Sequence, residues 1–161
     1  MDSVHSTYEI KLAQDDRDYK MGAELFREYA KSINIDLGFQ KFEEELNKIH
    51  LQYGPPNGGL LLIKHTDGSY MGCVAIRKID ETAAELKRMF IKPEAQGKGL
   101  GRLLLNRALD LARLLHYEKV LLDTMPFMES AIQLYKKMGF YEVEPYRYNP
   151  FEDALFFEKM L

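Results

Sequence analysis

A single cysteine, Cys73, leaves the chain without an internal disulfide, so its 161 residues hold together by packing alone. Charge of one sign is scarce as well. A net charge of −3 makes no electrostatic case for nucleic-acid binding. Long hydrophobic runs are missing: the longest plain aliphatic stretch, Leu60-Leu61-Leu62-Ile63, is far too short to span a membrane. The opening Met1-Asp2-Ser3-Val4-His5-Ser6 has neither the basic nor the apolar segment of a signal peptide. His5, His50, His65 and His116 lie at no metal-ligand spacing, so no metal is expected. No repeat, low-complexity tract or linker interrupts the chain. What is there, 46% hydrophobic and 29% charged residues, suits one ordinary globular domain over 1–161, expected in the cytoplasm.

The pattern of elements is mixed. Tyr8 to Leu12 suits a short strand, and Asp15 and Asp16 supply cap chemistry for a helix carrying Met21, Leu25, Tyr29 and Ile33. Leu37-Gly38 breaks it. A second helix is expected with Phe39, Phe42, Leu46 and Ile49 on one side. After the loop Tyr53 to Gly59, strands Gly59 to His65 and Tyr70 to Ile79 meet at the hairpin signal Asp67-Gly68. A further strand runs from Ala84 to Ile91. A long helix then reaches about His116, followed by a strand at Lys119 to Asp123 and a helix at Met128 to Met138. Two last strands fall near Tyr141 to Val143 and Ala154 to Lys159. Within Ala84 to Ile91, charged Lys87 and Arg88 separate apolar Leu86 and Met89. Strict alternation puts those two apolar residues on opposite faces, whereas a one-residue bulge returns both to the core. The alternative is a strand end with one charge on each face.

The most specific stretch is Gln96-Gly97-Lys98-Gly99-Leu100-Gly101-Arg102, which opens the long helix. Its glycines allow tight turning and close backbone approach, and the helix start adds free N–H donors and partial positive charge. Together these suit a phosphate or pyrophosphate, with Lys98 and Arg102 beside it. No Gly-Lys-Ser/Thr follows, which excludes a P-loop. A dinucleotide fingerprint matches Gly97 and Gly99 and has an acid at Asp123, but its third glycine falls on Arg102. Lys92 to Gln96 also separates the glycines from the strand.

Two spaced motifs resemble the GNAT superfamily of N-acetyltransferases. Gln96, Gly99 and Gly101 match its pyrophosphate loop. Leu134-Tyr135, three residues, then Gly139-Phe140 match its later helix end. The strand Glu85 to Ile91 with Lys92-Pro93 is similar to the family's fourth strand and exit. Met128 stands where many members carry Asn. The resemblance implies an α/β fold whose mixed, mostly antiparallel sheet, flanked by helices, splays between its fourth and fifth strands. It also implies acetyl-CoA as co-substrate. Pantetheine would lie along the backbone of Met89, Phe90 and Ile91, and pyrophosphate on Gln96, Gly97, Lys98, Gly99, Leu100, Gly101 and Arg102. The acceptor would be a primary amine on a small molecule or peptide, and a homodimer is allowed. A catalytically inactive acyl-CoA-binding sensor is the main alternative.

Amide formation needs a neutral amine and a proton donor near the departing sulfur. The resemblance gives the donor role to Tyr135, which shares a helix face with Ala131, Leu134 and Met138; core packing is its other reading. Glu85 is the first choice of base, directly or through water, against a solvated carboxylate at a strand end. Many family members use only waters and backbone carbonyls, and Asp123 is a rival. Arg88 and Arg147 are expected to hold an acceptor carboxylate. Cys73 lacks a neighbouring base and is expected to be a buried, inert thiol.

Overall fold

In a computed structural model of the chain, residues 7–34 and 38–161 are described. Met1 to Ser6, Leu37 of the expected break, and the side chain of Phe39 lie outside that description. Strands β1 (Tyr8–Leu12), β2 (Gly59–His65), β3 (Tyr70–Lys78), β4 (Ala83–Ile91), β5 (Lys119–Thr124), β6 (Tyr141–Val143) and β7 (Leu155–Met160) form one sheet in the order β1-β2-β3-β4-β5-β7-β6. Every neighbouring pair is antiparallel except β4 with β5.

Helices cover both faces. On one face lie α1 (Asp16–Ile33), α2 (Phe39–Asn47) and α3 (Ile49–Gln52). Their apolar sides close a core around Phe26, Tyr53, Leu60, Leu62 and Cys73. On the other face, α4 (Leu100–Leu114) and α5 (Glu129–Lys137) cover Ile63, Val74, Ile76 and Val120. The acidic start of α1 is capped as expected: the Asp15 carboxylate accepts from the Asp18 N–H at 2.8 Å. One expected helix is two. It breaks at Lys48, whose N–H bonds back to the carbonyls of Glu44 and Glu45, and the turn that follows buries Ile49 and Tyr53 against the sheet. Tyr53 meets Phe26 edge-on, with ring centroids 5.7 Å apart.

The bulge in β4 is present. Cys73 pairs with Phe90 and Ala75 with Lys87, so Val74 faces two residues, Arg88 and Met89. Arg88 takes a φ of 58°, a left-handed conformation uncommon for a side chain of its size. The buried Cys73 thiol donates to the Arg88 carbonyl at 3.3 Å. Leu86 and Met89 both reach the α4 side of the sheet, as the charge pattern between them requires.

The bulge sits where the sheet opens. β4 and β5 pair only at Ala83–Lys119, Ala84–Val120 and Glu85–Leu121. Beyond Glu85 the strands part, and the edge of β4 from Leu86 to Ile91 faces the gap.

Candidate active site

Two cavities meet at this gap. One, about 720 Å³, runs past Met89, Phe90, Ile91, Gln96 and Ser130. The other, about 490 Å³, lies among Tyr29, Glu45, Lys87, Arg88, Tyr135 and Arg147. Ile33, Met89 and Met128 line both. The passage from one to the other therefore lies beside Met89 at the mouth of the splay.

Gln96, which begins the glycine loop, lines the first cavity. Gly97 and Gly99 have φ of 75° and 78°, where a side chain would be strained. The Leu103 N–H bonds the Gly99 carbonyl at 3.3 Å, so the N–H groups before it belong to the open first turn of α4. Gln96 Nε2 donates to the Ile91 carbonyl at 2.9 Å and ties the loop to the end of β4. Among the described residues, exposed Lys98 and Arg102 enter no ion pair. Their charges are available at the helix start.

Tyr135 projects from α5 into the second cavity, 5% exposed, and its hydroxyl lies 3.9 Å from Met89 Sδ. Burial raises its pKa well above the ordinary tyrosine value, so it holds its proton at neutral pH. Its ring packs against Phe140, the partner residue of the same motif.

Glu85 has no exposed surface, unlike a carboxylate at a solvated strand end. Its Oε1 accepts from Arg77 Nε at 2.8 Å. Its Oε2 accepts from Tyr146 Oη at 2.5 Å and Arg147 Nε at 2.9 Å. Burial alone would raise its pKa. Lys87, the Tyr146 hydrogen bond and the two arginines outweigh burial and hold it below the usual carboxylate range.

The two arginines expected to grip an acceptor already face protein carboxylates. Arg88 forks onto Glu45, Nε to Oε2 and Nη2 to Oε1, both at 3.1 Å, and lies over the Phe42 ring. Arg147 Nη2 donates to Asp123 Oδ2 at 2.8 Å, and Asn149 Nδ2 donates to the same oxygen at 2.9 Å. Asp123 thus anchors the 144–154 segment across the gap.

Residues 22–140 match the family model described as the acetyltransferase (GNAT) family. The chain belongs to the GNAT family of acetyltransferases. It is similar to an uncharacterised N-acetyltransferase of Schizosaccharomyces pombe, 36% identical over 91% of this chain and 89% of that one. An N-acetylaspartate synthetase of Danio rerio is 27% identical over 76% of this chain and 43% of its own length. Among solved structures, an acetyltransferase of Streptococcus agalactiae superposes with a TM-score of 0.80 at 22% identity, covering 96% and 99% of the two chains. A spermidine N-acetyltransferase of Vibrio cholerae in complex with CoA and spermine gives 0.70 at 24% identity, covering 97% and 96%. These likenesses show the fold.

For this GNAT acetyltransferase, Lys87, Tyr146 and Glu45 are cavity or cluster residues that sequence reasoning assigned no role. Lys87 had a usable signal. In an extended strand residues two apart share a face, and Glu85 and Lys87 are two apart. Lys87 Nζ stands 4.0 Å from Glu85 Oε1. Glu45 and Tyr146 lie 43 and 61 residues from their partners Arg88 and Glu85, and no local pattern announces them.

Proposed function

We propose that this enzyme moves an acetyl group directly from acetyl-CoA to the primary amine of a small acceptor that also carries a carboxylate. The observation that carries the reading is the meeting of two cavities at Met89, beside Tyr135. In this reading, CoA enters along the first cavity. Its pyrophosphate rests on the N–H groups of the glycine loop, with Lys98 and Arg102 beside it. Its pantetheine arm lies against the free edge of β4 at Met89, Phe90 and Ile91, as an added strand would. The acceptor occupies the second cavity and reaches the thioester through the gap.

An alkyl ammonium has a pKa near ~10.4 and must lose a proton before it attacks. The neutral nitrogen then adds to the thioester carbonyl. The C–S bond breaks, the amide forms, and the sulfur leaves as thiolate. Tyr135 stands at that exit. A thiol is a stronger acid than a phenol, near ~8.5 against ~10. Tyr135 therefore acts best by donating a hydrogen bond to the developing sulfur charge, with its proton only partly given up. Glu85 is occupied on both oxygens and weakly basic, which suits fixing the cavity wall and drawing a cation towards it. Proton removal from the acceptor then falls to water, which carries the proton to solvent.

Two features support a carboxylate-bearing acceptor. The second cavity is small, and Lys41, Lys87, Arg88 and Arg147 outnumber Glu45 and Asp123 among its lining charges. A curated relative is named for N-acetylaspartate, the product of acetylating such an amine. The test is release of CoA thiol from acetyl-CoA over amino acids, their amides and polyamines. Faster turnover of amino acids than of their amides is expected. Preference for polyamines contradicts the acceptor class, and CoA binding without turnover of any amine favours a sensor.

A further inference from the structure

The wall of the second cavity carries more cations than anions, with Lys41, Lys87, Arg88 and Arg147 against Glu45 and Asp123. Around Lys87 stand three other cations: Arg88 on its own strand, Arg77 on β3 and Arg147 on the 144–154 segment. Against these four positive charges the described residues set three carboxylates, Glu85, Glu45 and Asp123. Each arginine is matched. Arg77 and Arg147 share Glu85, Arg147 also reaches Asp123, and Arg88 forks onto Glu45. Among the described residues Lys87 has only the 4.0 Å approach to Glu85 Oε1, an oxygen already bound by Arg77. The Lys87 side chain is 11% exposed, so water solvates it little.

We propose that Lys87 reads the acceptor: the missing anion is the acceptor's carboxylate, and Lys87 receives it. The inference rests on the proposed function and names the residue that sets its specificity. One unmatched positive charge fits one carboxylate.

A linked proton gives this role a signature. Burial, then the crowding of Arg88, Arg77 and Arg147 against the single help of Glu85, lowers the Lys87 pKa to about 8. At pH 8.5 part of the free enzyme carries Lys87 neutral. An arriving carboxylate favours the ammonium form, so binding takes up a proton. The other titratable neighbours do not contribute at that pH. Glu85 stays ionised, while Tyr29 and Tyr146 are raised above the ordinary tyrosine value and stay protonated.

The experiment uses succinate, a dicarboxylate without an amine, so no acceptor proton confuses the count. Calorimetry at pH 8.5 in two buffers of different ionisation enthalpy measures protons taken up on binding. Wild type takes up protons, and Lys87→Arg, charged throughout, binds succinate with none. Lys87→Met weakens succinate by about 10- to 100-fold, the range of a charge-assisted hydrogen bond, with CoA affinity within twofold of wild type. In turnover, Lys87→Met removes the preference for aspartate over aspartic acid diamide, which has no carboxylate. The proposal is overturned by wild type that does not bind succinate, by proton uptake that persists in Lys87→Arg, or by unchanged succinate affinity in Lys87→Met. A folded wild type that acetylates no amine yet shows the Lys87-linked succinate signature sinks the proposed function alone and leaves the anion site standing.

Discussion

At the scale of single residues, the site separates a proton holder from a charge holder. Tyr135 keeps its phenol proton because it is buried, and it points at the passage between the cavities. Tyr135→Phe keeps the ring that packs on Phe140 and removes only the donor. We expect kcat to fall by ~10²-fold, within the span of a general acid, with CoA affinity unchanged; steady-state rates and calorimetry check both. Glu85 is a different kind of group, because its worth is in what it holds. Removing one partner of a buried pair costs about 3–5 kcal/mol, and the one-third exposure of Arg77 and Arg147 brings the expectation for Glu85→Gln down to roughly 1–3 kcal/mol. At ~2–4 °C per kcal/mol, that is a readable loss of melting temperature at pH 7. The sign with pH follows from its depressed pKa. Stabilisation from Glu85 is fully present above the ordinary carboxylate range and is lost as pH falls through its lower folded value. The gap in melting temperature between wild type and Glu85→Gln should therefore close on acidification, and a gap that widens contradicts the assignment.

At the scale of elements, the loop between β4 and α4 and the bulge inside β4 do separate jobs. The loop offers N–H groups, and the bulge turns the end of β4 away from β5. Gly101 is the better probe of the loop. An added Cβ there meets Leu134 Cδ2 at 3.4 Å and Ile91 Cδ1 at 3.5 Å, ordinary contacts, whereas Gly99 sits at a φ of 78° that strains any side chain. Gly101→Val projects into the space between β4 and α5 where the pantetheine arm would pass. CoA affinity should drop by tenfold or more, ~1.4 kcal/mol, in a protein that melts near wild type. Unchanged affinity removes CoA from this loop. Much of this scale is legible from the chain itself. The capped start of α1, the Asp67-Gly68 hairpin and the glycine loop each follow from neighbouring residues, and the bulge follows from two charges between two apolar positions. The break at Lys48 is not legible, because the apolar spacing of Phe42, Leu46 and Ile49 continues through it and only the burial of Tyr53 requires the turn. The opening of β4 from β5 has one mark in the chain, the two charges that signal the bulge, while its place between the fourth and fifth strands is what the family resemblance implies. The ion-pair partners of Arg88 and Arg147 are the clearest loss: those arginines look free in sequence because Glu45 and Glu85 are brought to them by the fold.

At the scale of the whole molecule, the sheet opens between β4 and β5, and in the proposed function the two substrates meet through that opening. Such an arrangement calls for direct transfer in a ternary complex. A covalent acyl-enzyme on Cys73 has no support, because that thiol is fully buried, its pKa is pushed up by burial, and it donates to the Arg88 carbonyl. In the proposed function, substrate choice belongs to the acceptor-side cavity, whose lining cations include Lys87, while CoA is held by backbone. The measurement that tests this account most directly is a two-substrate matrix of initial rates, following CoA thiol release with acetyl-CoA and L-aspartate varied together, and aspartic acid diamide, which has no carboxylate, in parallel. The account predicts intersecting lines of a ternary complex and a higher kcat/KM for aspartate than for its diamide. Parallel lines, or equal rates with the two acceptors, would contradict it.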